Sequence, residues 1–385
     1  MKKICFVTTI PGTLKTIVMD TAKYLYNNDD CEITFICSKD ETFAAFLPEY
    51  IHYIPVLMKR GISIAGLKAT YKLIKIFKKN RFDLVQYSTP NASLYASIAT
   101  KVTGVPIRLY CQWGIRYVSM TGFTRFIFKH LEKFICALST DIRAVSYKNR
   151  DFAVEEGLYK SDKVRVLGKG GTVGVELSNY DIENKAAYNK IIRDNFGIGN
   201  EFVFGFVGRF SRDKGSNELL EAFKNISETK SVKLICIGYN EADENIDKNL
   251  FNWAKNSDKV IFAGRIDNKE LKKYYAAMDC DVHPSYREGF GMVIQEAAAM
   301  GCTIITTDIP GASEVMEDNI SCILAKPRDA VSLEEKMREV MNDSELCKRL
   351  GQNARERVEK YFDRRIMIET QRLDYELLLK KGNVL

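Results

Sequence analysis

Short apolar and β-branched runs alternate with stretches of helical spacing along nearly the whole chain, and that rhythm limits the fold more than any other feature. The runs read as strands over Ile4–Thr9, Glu32–Cys37, His52–Val56, Asp83–Tyr87, Arg108–Cys111, Asp141–Val145 and Val164–Leu167. Helical patterns at Thr16–Asn27, Ala65–Asn80, Ala92–Thr103 and Thr124–Ala137 separate several of them. A polar stretch, Leu177–Gly199, interrupts the series. It resumes with strands expected at Phe202–Val207, Lys233–Ile237, Val260–Phe262, Cys280–His283, Thr303–Thr306 and Ser321–Leu324. Helices at Ser332–Met341, Ser344–Lys360 and Arg364–Leu379 close the chain. Such alternation builds a parallel sheet covered by helices on both faces. With 385 residues the chain exceeds one ordinary core. The expectation is an α/β protein of two doubly wound domains, 1–178 and 179–363, with ligands at the carboxyl ends of the strands in the cleft between them.

Several function classes are excluded at this level. Apolar residues make up 46% of the chain and charged residues 28%, the balance of an ordinary globular protein. Ten cysteines are scattered without any C-x-x-C, and only His52, His130 and His283 accompany them, so buried free thiols in a reducing cytosol are expected rather than a zinc site. Lys2-Lys3 precedes a short run, Ile4 to Ile10, broken by Thr8 and Thr9, which reads as a first strand rather than a signal peptide. No run approaches the length of a membrane span. Gly168, Gly170, Gly171 and Gly174 do not fit G-x-G-x-x-G, and neither a P-loop nor G-x-S-x-G occurs. Asp279-Cys-Asp281 spells D-x-D, but it straddles a helix end and a strand start, so no metal is assigned to it. His283, just before Pro284, reads as a structural strand-end residue rather than a base.

The stretch from Asp281 to Gly301 carries the strongest chemical signal. A strand ends at Pro284, and the turn Tyr286-Arg-Glu-Gly-Phe-Gly291 follows. Good helix formers then run to about Met300, with Gly301 as the stop. Two glycines let backbone approach a ligand, and a helix starting there points unpaired N–H groups into the crevice above the sheet, an arrangement that binds phosphate. Glu288 lies in the turn and Glu296 about two turns into the helix, so one carboxylate faces the strand end and the other reaches farther along the same ligand. A ribose diol is a natural partner for the second. Farther back, Phe204-Gly-Phe-Val-Gly-Arg-Phe-Ser-Arg-Asp-Lys-Gly215 carries Arg209 and Lys214 in a loop directly after a strand.

The Glu288 to Glu296 spacing, with Gly289-Phe290-Gly291 inside it, resembles the signature of retaining nucleotide-sugar glycosyltransferases of the GT-B fold, family four. The Gly208-Arg209 and Lys214-Gly215 pairs match both halves of that family's G-R…K-G pattern. Val164–Glu176 is similar to its N-G-V-D type turn, and Thr307–Glu314 to its P-G-x-x-E loop. The fit is best to transferases of bacterial capsule, exopolysaccharide and O-antigen. The resemblance implies two Rossmann-like domains, with a final helix over 364–385 returning to the first. It implies Glu288 near the transferred sugar, Arg209 and Lys214 on the donor diphosphate, and Glu296 on the ribose. Gly289, Phe290, Gly291, Met292 and Val293 would present backbone to sugar and phosphate, with Gly208, Gly264 and Arg265 completing the donor site. Gly12 and Thr13, where the first strand meets the first helix, would meet the donor phosphate or the acceptor. No metal and no cofactor are expected beyond the nucleotide-sugar co-substrate, which would be UDP-linked. One departure stands out: the family's His-Gly is replaced by Trp113-Gly114, here assigned to acceptor or sugar contact. Transfer survives that loss in principle, since the leaving phosphate is thought to take the acceptor's proton. The alternatives are a nucleotide-sugar epimerase of the same fold and a catalytically idle sugar-nucleotide-binding subunit.

Charge adds a partner. Between Glu49 and Glu132 the sole acidic residue is Asp83, while the same window holds thirteen lysines and arginines. From Lys59 to Arg81, cations alternate with Leu67, Tyr71, Ile74 and Phe77 or Lys78 at helical spacing. Such a face suits an anionic membrane surface. Nucleic acid is not expected, because the aromatics are dispersed and no recognition motif is present. The expectation is a cytoplasmic enzyme, peripheral at the inner face of the cell membrane, acting on a saccharide held on a polyprenyl diphosphate.

Overall fold

The structure, a computed structural model, describes residues 1–58, 64–238 and 245–382. Every expected strand forms, with ends displaced by no more than two residues. The strands are β1 (Lys2–Val7), β2 (Cys31–Cys37), β3 (Ile51–Pro55), β4 (Leu84–Tyr87), β5 (Ile107–Gln112), β6 (Asp141–Ala144), β7 (Val164–Arg165), β8 (Phe202–Val207), β9 (Val232–Ile237), β10 (Val260–Gly264), β11 (Cys280–His283), β12 (Thr303–Thr307) and β13 (Ile323–Ala325). They make two parallel sheets, ordered β3-β2-β1-β4-β5-β6-β7 and β10-β9-β8-β11-β12-β13. The chain divides into one unit of Met1–Val173 with Arg365–Leu385 and a second of Gly174–Arg364.

Each sheet is buried on both faces, as its apolar strands require. In the first unit the pleat sends Cys5 and Val7 into one core cluster and Ile4 and Phe6 into another. The first cluster is covered by Ala69, Leu73 and Phe77 of the Ile64–Asn80 helix, by Tyr95 and Ala96 of Pro90–Thr103, and by Ile135 and Cys136 of Gly122–Leu138. On the other face the C-terminal helix, Arg364–Gly382, contributes Tyr375 and Leu378. Its Asp374 forms a buried bidentate pair with Arg143 of β6, at 2.6 and 2.8 Å. In the second unit Phe204, Phe206, Leu234, Val282 and Ile305 build a single cluster under the helix Ser216–Ser227. All ten cysteines are unpaired, and nine of them are buried.

Three expectations need correction. The polar stretch Leu177–Gly199 holds a helix, Lys185–Phe196, which buries Ile192 and ends at Gly197 in the left-handed conformation. Tertiary contacts supply what its polar sequence lacks: Asn189 donates to Ala276 O at 3.0 Å and Lys185 to Gly301 O at 3.0 Å. The first helical region starts earlier than Thr16, at Pro11, and passes through a π-helical stretch, Leu14–Val18, before Met19–Asp29. Finally, the apolar stripe in the basic segment does not form one outward face. Leu67 and Tyr71 are 73% and 60% exposed, whereas Phe77 points into the core at 1%. Lys59 and Arg60, which begin that segment, lie outside the described residues.

Candidate active site

In the second unit, two turns at the carboxyl edge of the sheet are joined to each other. After β8 the chain passes Gly208 and Arg209 into a 3-10 turn, Arg212–Lys214, and then Gly215. After β11 it runs through Pro284 and Ser285 to Glu288 and on to the Met292–Ala299 helix. Gly215, at φ +69°, backs directly onto Pro284: a Cβ there would stand 2.0 Å from the Pro284 carbonyl oxygen. Tyr286 N–H donates to Asp213 O at 2.9 Å, and the Tyr286 hydroxyl donates to Glu218. A third turn, after β12, closes on the same place. Gly311 lies so close that a Cβ would meet Gly289 O at 2.3 Å, while Glu314 accepts from Gly311 N–H.

This scaffold brings Lys214 and Glu288 together. Oε1 of Glu288 accepts hydrogen bonds from Lys214 Nζ, from His283 Nε2 at 2.7 Å and from Ser285 Oγ at 3.1 Å. Burial alone would raise the Glu288 carboxyl, but His283 and then Lys214 outweigh it and hold the group well below the usual carboxylate range. Arg209 shares the loop yet stays out, 66% exposed, with its guanidinium 3.9 Å from Asp213. Asp213 is also held low: burial opposes this, and the Ser211 hydroxyl with Arg209, Lys214 and Arg287 prevails. Gly208 follows β8 and Gly264 ends β10 on either side of β9, linked through Gly208 N–H to Ile237 O and Gly238 N–H to Gly264 O, both 2.9 Å. Arg265 follows as an exposed residue.

Glu296 lies elsewhere on the same helix. That helix begins at Met292, behind Gly291 in the left-handed conformation, so Glu296 comes little more than one turn in rather than two. Its Oε2 accepts from the Tyr275 hydroxyl at 3.2 Å, and burial raises its carboxyl despite hydrogen bonds from Tyr275 and Tyr180. Phe290 turns its ring inward onto Phe362, at 5.5 Å, and its carbonyl accepts from Gln295 at 3.1 Å, while Met292 and Val293 remain half-buried. Neither aspartate of the D-x-D is set out for a ligand. Asp279 Oδ2 accepts from Arg193 at 3.0 Å and from Val203 N–H at 2.8 Å, and Asp281 is wholly enclosed.

Gly12, Thr13, Trp113 and Gly114 belong to the first unit. Gly12 and Thr13 form the short turn of helix after β1, with the Gly12 carbonyl accepting from Thr16 Oγ1 at 2.9 Å. Trp113 packs half-buried on the core and lines a cavity with Gln86, Arg143, Asp374 and Tyr375, while Gly114 follows at φ +145°. His283 and Ser285 were missed as functional residues. The signal was present, a histidine and a serine flanking Pro284 shortly before the turn glutamate, but only the fold shows that both meet one oxygen.

The Anabaena protein Alr3699/HepE, solved in complex with UDP, superposes at a TM-score of 0.77 and 21% identity, over 98% of this chain and 99% of that one. With its two parallel sheets, this protein has the GT-B glycosyltransferase fold. A family model described as glycosyl transferases group 1 matches residues 189–357, and one described as glycosyl transferase 4-like matches residues 3–146. The sequence is 32% identical over 356 residues to the capsular polysaccharide biosynthesis glycosyltransferase CapM of Staphylococcus aureus, covering 91% of each. It is 23% identical to the UDP-Gal:alpha-D-GlcNAc-diphosphoundecaprenol alpha-1,3-galactosyltransferase of Escherichia coli, over 84% of this chain and 83% of that one. The chain belongs to the group 1 glycosyl transferases.

Proposed function

We propose that this glycosyltransferase moves a sugar from a UDP-sugar, with retention at the anomeric carbon and without a metal, to a saccharide carried on a polyprenyl diphosphate, in the assembly of a capsule-type surface polysaccharide. The observation that carries this reading is the meeting of Lys214 and Glu288 on turns from two adjacent strands. A nucleoside diphosphate departs with growing negative charge, and a lysine held beside the site by Glu288 turns to it and stabilises it, at about 3–4 kcal/mol for one such donor. Arg209, exposed on the same loop, supplies the second cation. Glu288 faces the transferred sugar, and the backbone of Gly289, Gly291, Met292 and Val293 lies beside sugar and phosphate. Glu296 takes the ribose by exchanging its tyrosine contacts for the diol. Gly12 and Thr13 meet the donor phosphate or the acceptor, and Trp113 and Gly114 contact the acceptor or the sugar. The two cations occupy the role that D-x-D carboxylates and a metal fill elsewhere, and here Asp279 and Asp281 are otherwise engaged or enclosed.

The lipid part of the acceptor is supported by the printed activity of the Escherichia coli relative. Lys68, Lys72, Lys75, Lys78, Lys79 and Arg81 are all exposed along and just beyond the Ile64–Asn80 helix. On the Gly122–Leu138 helix, Phe123, Phe126 and Phe134 are also exposed. Both helices leave the carboxyl edge of their sheet, so Leu67, Phe123 and Phe126, in their opening turns, lie towards that edge, and Tyr71 stands at the middle of its helix. A basic and aromatic surface of this kind rests on anionic lipid from the cytoplasmic side, peripherally. No described helix is long and apolar enough to cross a membrane. Incubation with a panel of nucleotide sugars and a polyprenyl-diphosphate saccharide, with NMR of the new linkage, tests the reading. A product of retained anomeric configuration formed from a UDP-sugar in EDTA is the result expected. Interconversion of the donor sugar without acceptor would instead mark an epimerase.

A further inference from the structure

We propose that His283 is a positioning residue for sugar transfer: it clamps one oxygen of Glu288 so that the other meets the sugar, and it keeps Glu288 in place when Lys214 turns to the diphosphate. This rests on the reading that Glu288 faces the transferred sugar.

The geometry is specific. All three donors converge on Oε1 of Glu288, and among the described residues none reaches Oε2. The glutamate side chain keeps 13% of its exposure while the imidazole has 1%, so a ligand can reach the carboxylate but not the ring. To donate to a carboxylate, Nε2 must carry the hydrogen. Nδ1 is buried without a partner, so the ring's orientation comes from packing rather than from a second hydrogen bond. Phe206 stacks beside it, with ring centroids 6.3 Å apart and planes 19° from parallel. The backbone is pinned as well: Thr306 Oγ1 donates to His283 O at 3.0 Å, and Thr307 Oγ1 donates to Ser285 O.

Lys214 explains why such a clamp is needed. In the free protein its ammonium is committed to Glu288, yet the proposed reaction needs it on the donor diphosphate. When the lysine swings away, an enclosed carboxylate loses its cation and would reorient or take up a proton. Ser285 alone does not hold it, because its single hydroxyl lies 3.1 Å from both Glu288 Oε1 and His283 Nε2. The Nε2 donor does not move with the lysine. Of the other charged groups of these turns, Arg209 and Arg287 pair with Asp213 at 3.9 and 3.7 Å, and Arg212 is exposed.

The test compares His283→Phe, which keeps the ring packing and removes the donor, with His283→Gln, which restores an N–H near the Nε2 position. Turnover, donor KM and the pH dependence of kcat are measured for both, beside thermal unfolding and Glu288→Gln. His283→Phe should lose about tenfold to a hundredfold in kcat, the scale of a misplaced reacting group. Its donor KM should stay within about threefold, because binding is not what the clamp serves. The acid limb of its kcat profile should move to higher pH as the carboxylate loses a donor, and His283→Gln should recover most of the turnover. Wild-type turnover in His283→Phe, with Glu288→Gln inactive, overturns the clamp alone. Equal losses in both histidine variants, matched by equal losses of thermal stability, also overturn it and leave a packing role. Full turnover in Glu288→Gln overturns the reading beneath it.

Discussion

Replacing Asp281 by asparagine should make the protein more stable at neutral pH, although the residue lies beside the proposed donor site. Asp281 is fully enclosed, and neither carboxylate oxygen has a hydrogen-bond partner. Burial, reinforced by the negative charge of Glu296, pushes its carboxyl from an ordinary 3.8 up to about 8. The folded chain therefore holds a proton that the unfolded chain releases near pH 4. A carboxyl raised in this way favours the folded state fully below the unfolded value and loses that contribution as pH climbs through about 8. At pH 7 the cost of keeping the proton is about 4 kcal/mol, from roughly three pH units at 1.36 kcal/mol each. Asparagine has nearly the same shape and no proton to hold. Its amide is left as unpartnered as the neutral acid, so the difference reduces to ionisation. The gain should be near zero at pH 4, about 1.5 kcal/mol at pH 5 and about 4 kcal/mol at pH 7. For a unit of this size the last figure corresponds to about 8–16 °C in Tm. Circular dichroism melts of wild type and Asp281→Asn at pH 5, 6, 7 and 8 measure it. A constant difference in Tm across the series would refute the reasoning, as would a less stable variant at pH 7.

Lys214→Ala and Arg209→Ala should each cut turnover by about a hundredfold or more, measured by UDP release, and EDTA should leave wild type unaffected. Abolition by EDTA with rescue by manganese would return Asp279 and Asp281 to the mechanism. Glu288→Gln should lower kcat with little change in donor affinity, whereas Glu296→Gln should chiefly raise donor KM, since it holds a part of the ligand that does not react. Near-normal kcat in Glu288→Gln counts against its place at the sugar. Wild type should sediment with phosphatidylglycerol vesicles at low salt, and changing Lys72, Lys75, Lys78 and Lys79 to glutamate should abolish this while donor binding by calorimetry persists. Indifference of the wild type to those vesicles would leave the basic helix as a solvated surface.

The sequence by itself determined the architecture. Each short apolar run became a strand because a parallel sheet buries both of its faces, and that demand is written locally as an unbroken run. It also marked the turn from Tyr286 to Gly291 and the Arg209–Lys214 loop, because glycines at tight turns and cations after a strand are local features. Contacts between distant segments were left to the tertiary structure. The Lys185–Phe196 helix reads as polar linker until the Leu271–Ala277 helix packs against it and Ile192 is buried. Phe77 looks like part of an outward stripe until packing turns it inward. His283 reads as structural until Glu288, five residues on, folds back onto it with Lys214 arriving from another strand. Glu296 falls where burial raises its carboxyl against hydrogen bonds from Tyr275 and Tyr180. Such effects depend on which groups share a low-dielectric space, and residue type and spacing do not encode that until the chain has closed.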